Sequence, residues 1–458
     1  MARKIVIIGG GGVRTPLLIH GLAHAQAKLD IGELVLFDCD HARTEIIAGI
    51  GREMVRHFGA GFRISATEVL EDAARGAEFI FHSIRVGGIA ARARDERMAI
   101  ECGLAGQETT GPGGAAMALR TVPVVLEQAR VIEAVAPQAW FISFTNPAGL
   151  IAQALSLHTR LRAIGICDTP IELFHRIAWV LGEPYDEMAF DYAGLNHLGW
   201  VRRISLRGQD VTARLFDNPD ALGRLYSAAL FDPELIRTLR LVPSEYLFFY
   251  YSQHRAYENQ VRAGASRGEE LVRLNRDLFA ELADQPPARA LEIYRRYLLR
   301  RNASYMKLEA EATSAFAVAE ESYDPFETAT GYHRIGVDVI TGLLSNRNRE
   351  IVLNVPNRGA IADLEPDDVV EVPCDLDAGG PVLRPCGRLP ESVRGLVLAV
   401  KAYERTAIRA AVEQSGALAE LALLEYPIVG QWELAQRLRA AMAAADPEHL
   451  GYLSEPRP

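Results

Sequence analysis

Apolar and polar positions divide the chain into two textures. Up to about residue 200, short apolar runs bounded by turn residues recur: KIVIIG (4–9), ELVLFD (33–38), EFIFHSI (78–84), WFISFT (140–145) and RAIGIC (162–167). Runs that are apolar on both alternating faces read as buried parallel strands. Between them, 17–28, 41–57, 116–136 and 170–182 have the spacing of helices. Strand–helix alternation predicts an α/β domain over residues 1–200, with a Rossmann-type doubly wound parallel sheet. Beyond it the pattern is mostly helical, from NPDALGRL (218–225) through 267–300 and 392–443, with a strand-like interlude at 335–374. Residues 201–458 read as a second, mostly helical α+β part packed on the first.

Composition narrows the function classes. At 458 residues the chain has room for two to three domains, and 49% hydrophobic with 24% charged residues is ordinary for a globular protein. A net charge of −10 argues against a nucleic-acid or membrane-surface partner, which would favour a concentrated basic face. No window reaches the roughly 18 apolar residues of a membrane span. The opening MARKIVIIGGGGV is too short an apolar run for a signal peptide and leads straight into a strand and a glycine turn. Five cysteines, odd and sparse, make no disulfide framework, so a reducing cytoplasm is expected.

Candidate chemistry collects at strand ends. Gly9, Gly10, Gly11 and Gly12 follow the first strand and precede a helix, where backbone N–H groups and the helix dipole hold a pyrophosphate. The third glycine of the fingerprint is replaced by Arg14, and a glycine-rich turn of another α/β domain fits the glycines alone. With the strand, the helix and Asp38 closing the second strand, the pattern points to a dinucleotide, and Asp38 favours NAD over NADP. Thr145-Asn146-Pro147 breaks another strand and leaves the Asn146 amide at the carboxyl edge of the sheet; an ordinary Asn-Pro turn is the competing reading. Cys167 and His197 end two further strand-like runs. A thiol with an imidazole suits a borderline divalent cation, with the remaining positions left to water or substrate, and a buried thiol plus a satisfied histidine is the alternative. In RVGGIAARARDER (85–97) and GQETTGPGG (106–114), Arg92 is placed to meet an anion or sugar oxygens and Glu108 to support the site; a solvated charge run explains the arginines almost as well. Tyr246, at the start of an aromatic helix in LVPSEYLFFYY (241–251), is a candidate base.

GGGGVRTP, RVGG…R…DER, GQETTGPGG, TNPAG, GICDTP, GLNHLGW and PSEYLFFYY occur in an order that resembles glycoside hydrolase family four. The likeness continues through LNVPNRGAIADLEPDDVVEVPC (353–374) and AVKAYERTAI (399–408), and the sequence is most similar to the 6-phospho-β-glucosidase branch. The resemblance implies a nucleotide-binding half like that of lactate and malate dehydrogenases. It also implies NAD and a divalent metal, usually manganese, as cofactors, a glycoside substrate that carries a 6-phosphate in many members, and a homodimer or homotetramer. NAD-dependent glycosidases stand outside the two-carboxylate scheme. The mechanism implied is oxidation at C3, removal of the C2 proton by Tyr246, elimination of the aglycone, water addition and re-reduction. Asp168 matches the proton donor of the 6-phospho-α-glucoside branch, where many β-type members have Asn. Glu108 matches a group that raises the basicity of the tyrosine, and Asn146 a substrate contact. Arg92 matches a substrate or phosphate contact and Arg267 another. RRNASYMKLEAEA (300–312) departs from the usual GGSxYS-like stretch of the phosphate pocket. The alternatives are a 6-phospho-α-glucosidase or non-phosphorylated glycosidase of the same family, and a malate- or lactate-type dehydrogenase. The dehydrogenase needs neither Cys167 nor 250 further residues.

Overall fold

The computed structural model describes residues 2–311, 326–328 and 330–454. Six strands form its parallel half: β1 (Arg3–Ile8), β2 (Ile31–Phe37), β3 (Arg63–Thr67), β4 (Phe79–His82), β5 (Trp140–Ser143) and β6 (Arg162–Gly165). They lie in the order β3-β2-β1-β4-β5-β6, every pairing parallel, which is the dinucleotide-fold order. β1 and β4 are buried along almost their whole length, as the double-sided apolar runs require. The β3 strand, RISAT, is too polar to stand out in the apolar pattern.

The parallel strands end earlier than the apolar runs do. Side chains take over the backbone groups there: Thr145 Oγ1 accepts from the Ile84 N–H at 3.1 Å and lies 2.7 Å from His82 Nδ1. Asp38, Asn146, Cys167 and Asp168 thereby fall in the loops at the carboxyl edge, where this fold binds ligands.

The sheet does not stop at residue 200. β7 (Met188–Leu195) and β8 (Leu198–Leu206) form a hairpin closed by Asn196-His197 alone, and β9 (Gln209–Asp210) and β10 (Val242–Pro243) flank β8. β11 (Arg349–Pro356) pairs antiparallel with β12 (Val369–Asp377), which also carries β13 (Gly380–Leu383). The seams are narrow: β11 meets β6 at Asn354 opposite Gly165, and β12 meets β7 at Glu371 opposite Gly194. Part of the strand-like interlude is a helix, Tyr332–Leu343, with Ile335, Val339, Ile340 and Leu343 buried along one face. Its β-branched content imitates a strand while its spacing is helical. The long helix Glu391–Glu413 packs on Gly111–Val135 behind the sheet.

Candidate active site

The loops after β5 and β6, the β7–β8 turn and the segment after β10 converge on one cleft of about 900 Å³. Cys167, Asp168, Asn146, His197, Tyr246 and Glu108 all line it. Arg92 and Arg267 are not among the lining residues. Arg92 is buried against Glu96 (2.7 Å) and Glu108 (2.9 Å). Arg267 spends its guanidinium on Ser304, Glu270 at 3.3 Å and the Arg301 carbonyl at 2.7 Å. Both therefore stand behind the cleft wall and hold residues that face it.

Cys167 Sγ lies 3.4 Å from His197 Nε2. His197 occupies the left-handed region (φ 60°), a conformation that turns its ring off the hairpin toward the thiol and costs a non-glycine residue about 1–2 kcal/mol. Its tautomer follows from its neighbours. Thr109 Oγ1 donates its one proton to Gln107 Oε1 at 2.9 Å, so at 3.0 Å from His197 Nδ1 it accepts the ring N–H. Nε2 is left with its lone pair on the Cys167 side. Burial pushes His197 down to about 4, which keeps the ring neutral, and burial also pushes the Cys167 thiol well up, helped by Glu371 and Asp168. A lone pair fixed by a partner on the other nitrogen, beside a thiol, is a donor pair that could hold a divalent transition metal. No group of three or more His, Cys, Asp or Glu side chains placed to hold a metal occurs among the described residues, so two protein donors leave the other positions open.

The hairpin turn is anchored from below. Glu371, buried on β12, accepts from Asn196 Nδ2 (3.0 Å), Asn354 Nδ2 (3.0 Å) and the Tyr192 hydroxyl (2.7 Å). Tyr246 lies flat on His197, ring centroids 3.7 Å apart and planes 8° apart. Burial raises its phenol well above the usual range, and Glu245 and Glu108 add to that. Burial would raise Glu108 as well, but Arg85, Arg92 and Arg14 outweigh it and hold the carboxyl far below its ordinary value.

On the nucleotide side, Gly9 has φ 86° and a Cβ there would sit 2.1 Å from the Ser83 carbonyl oxygen, so only glycine makes this turn. Asp38 Oδ2 accepts from the Gly11 N–H at 2.9 Å, which joins the loop to the end of β2. A glycine cradle next to a strand-end carboxylate fits the pyrophosphate and ribose of a dinucleotide.

Sequence reasoning did not find several cleft residues. Arg14, noted only as a missing glycine, stands just before the first helix without capping it and projects into the cleft over Tyr332 (5.4 Å to the ring centroid). Arg301 and Tyr305 come from the 300–312 stretch, whose last residue lies outside the described residues. Neither Arg14 nor Arg301 has an ion-pair partner among the described residues, and burial, then Arg14, pushes Arg301 down to about 10. Glu172 stands one helical turn beyond Asp168, an i, i+4 spacing that was readable in the sequence.

Comparison with known proteins agrees with this geometry. The model of the Family 4 glycosyl hydrolase matches residues 4–183 and that of the Family 4 glycosyl hydrolase C-terminal domain matches 192–429. The chain is 31% identical to the probable 6-phospho-beta-glucosidase of Bacillus subtilis (strain 168), over 99% of this chain and 97% of that one. It is 30% identical to the 6-phospho-beta-glucosidase of Escherichia coli (strain K12), over 96% and 95%. Its fold superposes on the 6-phospho-beta glucosidase of Thermotoga maritima, solved with manganese, NAD+ and glucose-6-phosphate, with a TM-score of 0.81 and 26% identity over 98% of this chain and 99% of that one. Two family models in series span nearly the whole chain, and their junction falls between the cysteine and the histidine that meet in the cleft: the chain belongs to family 4 of the glycosyl hydrolases.

Proposed function

We propose that this chain is a 6-phospho-β-glucosidase that works with NAD and a divalent metal, manganese in the first instance. The observation that carries the reading is the Cys167–His197 pair, 3.4 Å apart, with Tyr246 stacked on the histidine in the same cleft. Bound NAD supplies reversible hydride acceptance at C3 of the sugar, and the metal supplies polarisation of the C2 and C3 oxygens. Cys167 and His197 Nε2 would hold that metal, and the Gly9–Gly12 turn with Asp38 would hold the nucleotide. Tyr246 removes the C2 proton, which a neighbouring ketone has made acidic. Its buried phenol is a poor base unaided, so its place against the metal pair matters. Asn146, at the end of β5, orients a sugar hydroxyl. Arg14 and Arg301, cations in the cleft that make no direct ion pair among the described residues, receive the 6-phosphate, while Arg92 and Arg267 brace the wall behind them. Glu108, compensated by Arg85 and Arg92, is the fixed negative charge beside the base.

A second reading, a 6-phospho-α-glucosidase, is favoured by one feature: Asp168, a carboxyl group in the cleft at the start of the Thr169–Leu181 helix, where it would protonate an α-linked leaving group. All five cysteines are free, which suits work in a reducing cytoplasm, and a homodimer or homotetramer is the assembly we assign. The test is a panel of p-nitrophenyl α- and β-glucosides, with and without 6-phosphate, assayed with NAD and manganese each present or withheld. Turnover of the β-linked 6-phosphate that needs both cofactors is the expected result. Equal turnover after exhaustive chelation, or full activity on the non-phosphorylated glucoside, refutes the reading.

A further inference from the structure

Tyr246 does not end in a wall. Its hydroxyl oxygen is 3.1 Å from that of Tyr305, and the Tyr305 hydroxyl is 2.5 Å from Glu245 Oε1. Tyr305 is placed as donor to both Glu245 and Tyr246; a phenol carries one proton, so with Glu245 ionised that proton goes to the carboxylate, and the Tyr305 oxygen can accept once the Tyr246 hydroxyl turns toward it. The distance to Glu245 is that of a charge-assisted O–H···O⁻ bond. Glu245 itself lines the cleft and has no arginine or lysine partner among the described residues. Three groups from two segments, 245–246 and 305, thus form one hydrogen-bonded file, and all three line the cleft.

We propose that Tyr305 and Glu245 are the proton outlet of Tyr246: as Tyr246 takes the C2 proton, its own hydroxyl proton passes to Tyr305 and the Tyr305 proton passes to Glu245. The inference rests on Tyr246 acting as the base in the proposed function. The C2–H bond breaks and leaves its electron pair in the enolate. Each phenol loses one proton and gains one, and the net transfer is from C2 to the Glu245 carboxylate. No standing phenolate is needed, because both tyrosines are neutral before and after. Direct reversal returns the original hydrogen to C2; it is lost when the Tyr246 and Tyr305 hydroxyls turn and pass it on along the file to Glu245, which exchanges it with cleft water, so that the proton sent back comes from solvent.

The setting of Glu245 suits an acceptor that works near neutrality. Asp168 and Glu172 face it from the Thr169–Leu181 helix, Tyr226 from the segment before β10, and Tyr246 and Tyr305 through the file. Burial raises its carboxyl, the Tyr305 hydrogen bond pulls it back and Asp168 adds to the rise, which together leave it at about 7. Accepting a proton requires the carboxylate, so kcat should climb with pH through about 7.

The experiment uses p-nitrophenyl β-glucoside 6-phosphate deuterated at C2, with NAD and manganese in ordinary water. Wild-type protein should release sugar phosphate that has lost its C2 deuterium. Glu245→Gln, nearly the same shape, and Tyr305→Phe should lower kcat about 10–100-fold with KM within about twofold. Both should leave much of the deuterium at C2, and the limb near pH 7 should vanish in Glu245→Gln. Unchanged NAD affinity and melting temperature certify the fold, and if Tyr305→Phe fails that check Glu245→Gln decides alone. Washout as complete as in wild type, or a retained limb in Glu245→Gln, overturns the outlet while leaving Tyr246 as base. A wild type that shows neither washout nor slowed turnover of the labelled substrate overturns the C2 chemistry itself, and the outlet with it.

Discussion

Replacing Glu371 with Gln separates the anchoring of the Cys167–His197 pair from the pair itself. The carboxylate accepts three hydrogen bonds and is buried, and all three partners are donors, so the ionised form is the one that fits. Glutamine has one oxygen. If it keeps the Asn196 and Asn354 bonds, its NH2 meets the Tyr192 hydroxyl, whose proton loses its acceptor. The opposite rotamer leaves two asparagine donors unpaired instead. The first is cheaper and costs about 1–3 kcal/mol for one unsatisfied buried donor. The two surviving bonds lose their charge assistance and roughly half their strength, about 1 kcal/mol at the Asn196 tether. That is comparable with the roughly 1–2 kcal/mol held in the left-handed His197, so the turn relaxes and the imidazole leaves Cys167 for part of the time. Loss of the Glu371 charge eases ionisation of the Cys167 thiol but also removes an attraction for a dication, and these oppose, so the turn geometry decides. Manganese affinity of the NAD-loaded protein, read from the signal of free Mn2+ in electron paramagnetic resonance, should fall about tenfold. The urea midpoint should fall with it. Tyr192→Phe, which removes one donor and keeps the carboxylate and the Asn196 tether, should lower stability by about 1 kcal/mol with manganese affinity within twofold. Unchanged manganese affinity in Glu371→Gln would show that the turn holds His197 without its anchor.

Cys167→Ser exchanges a soft thiolate for a hydroxyl and should reduce manganese affinity and turnover by about 100-fold or more, with NAD affinity, measured by nucleotide fluorescence, within twofold. Wild-type protein should bind NAD at least about tenfold more tightly than NADP in calorimetric titration, and Asp38→Ser should narrow that ratio, since the carboxylate opposes a 2′-phosphate. His82 is buried between Thr145 Oγ1 (2.7 Å) and Gln128 Oε1 (2.9 Å), and burial pushes it down to about 4. The unfolded chain binds its proton near 6.5 and the folded one only near 4. Stability is therefore full above pH 6.5 and falls by up to about 3 kcal/mol as the pH drops to 4. Urea midpoints between pH 4 and 7 check this, and His82→Gln should flatten that limb.

The legible parts of the fold were those where one physical demand governs the residues. β1, β4, β5 and β6 are buried on both faces, so their runs stand out, and chemistry placed just past such runs, Asp38, Asn146, Cys167, is legible as a sheet edge. β3 was missed because an edge strand with one exposed face need not be apolar. The Tyr332–Leu343 helix was taken into a strand-like stretch because β-branched residues crowd its buried face. Arg92 and Arg267 read as contacts because a charged helical position does not say whether its face meets solvent, substrate or a buried carboxylate; here Glu96 and Glu270 take them. Tyr305 and Arg301 lie in the 300–312 stretch that departs from the family's phosphate-pocket motif, and an amphipathic helix followed by a turn does not say which of its residues border a cleft. Glu371 is a single acid within an apolar strand, and its three partners lie 17 to 179 residues away in the chain.

The one-residue seams between β6 and β11 and between β12 and β7 set a timetable for the newborn chain. Everything needed for a dinucleotide fold leaves the ribosome by about residue 165, and the hairpin that bears His197 by residue 206. Glu371 and Asn354, which fasten that hairpin to the rest of the sheet, are still unmade. At roughly 5–20 residues per second, the interval from residue 206 to the end of β12 at 377 lasts about 9–35 s. During it the hairpin lacks the Glu371 carboxylate that accepts from Asn196 and Tyr192. The turn that presents His197 is thus fastened to the sheet only once β12 has been made.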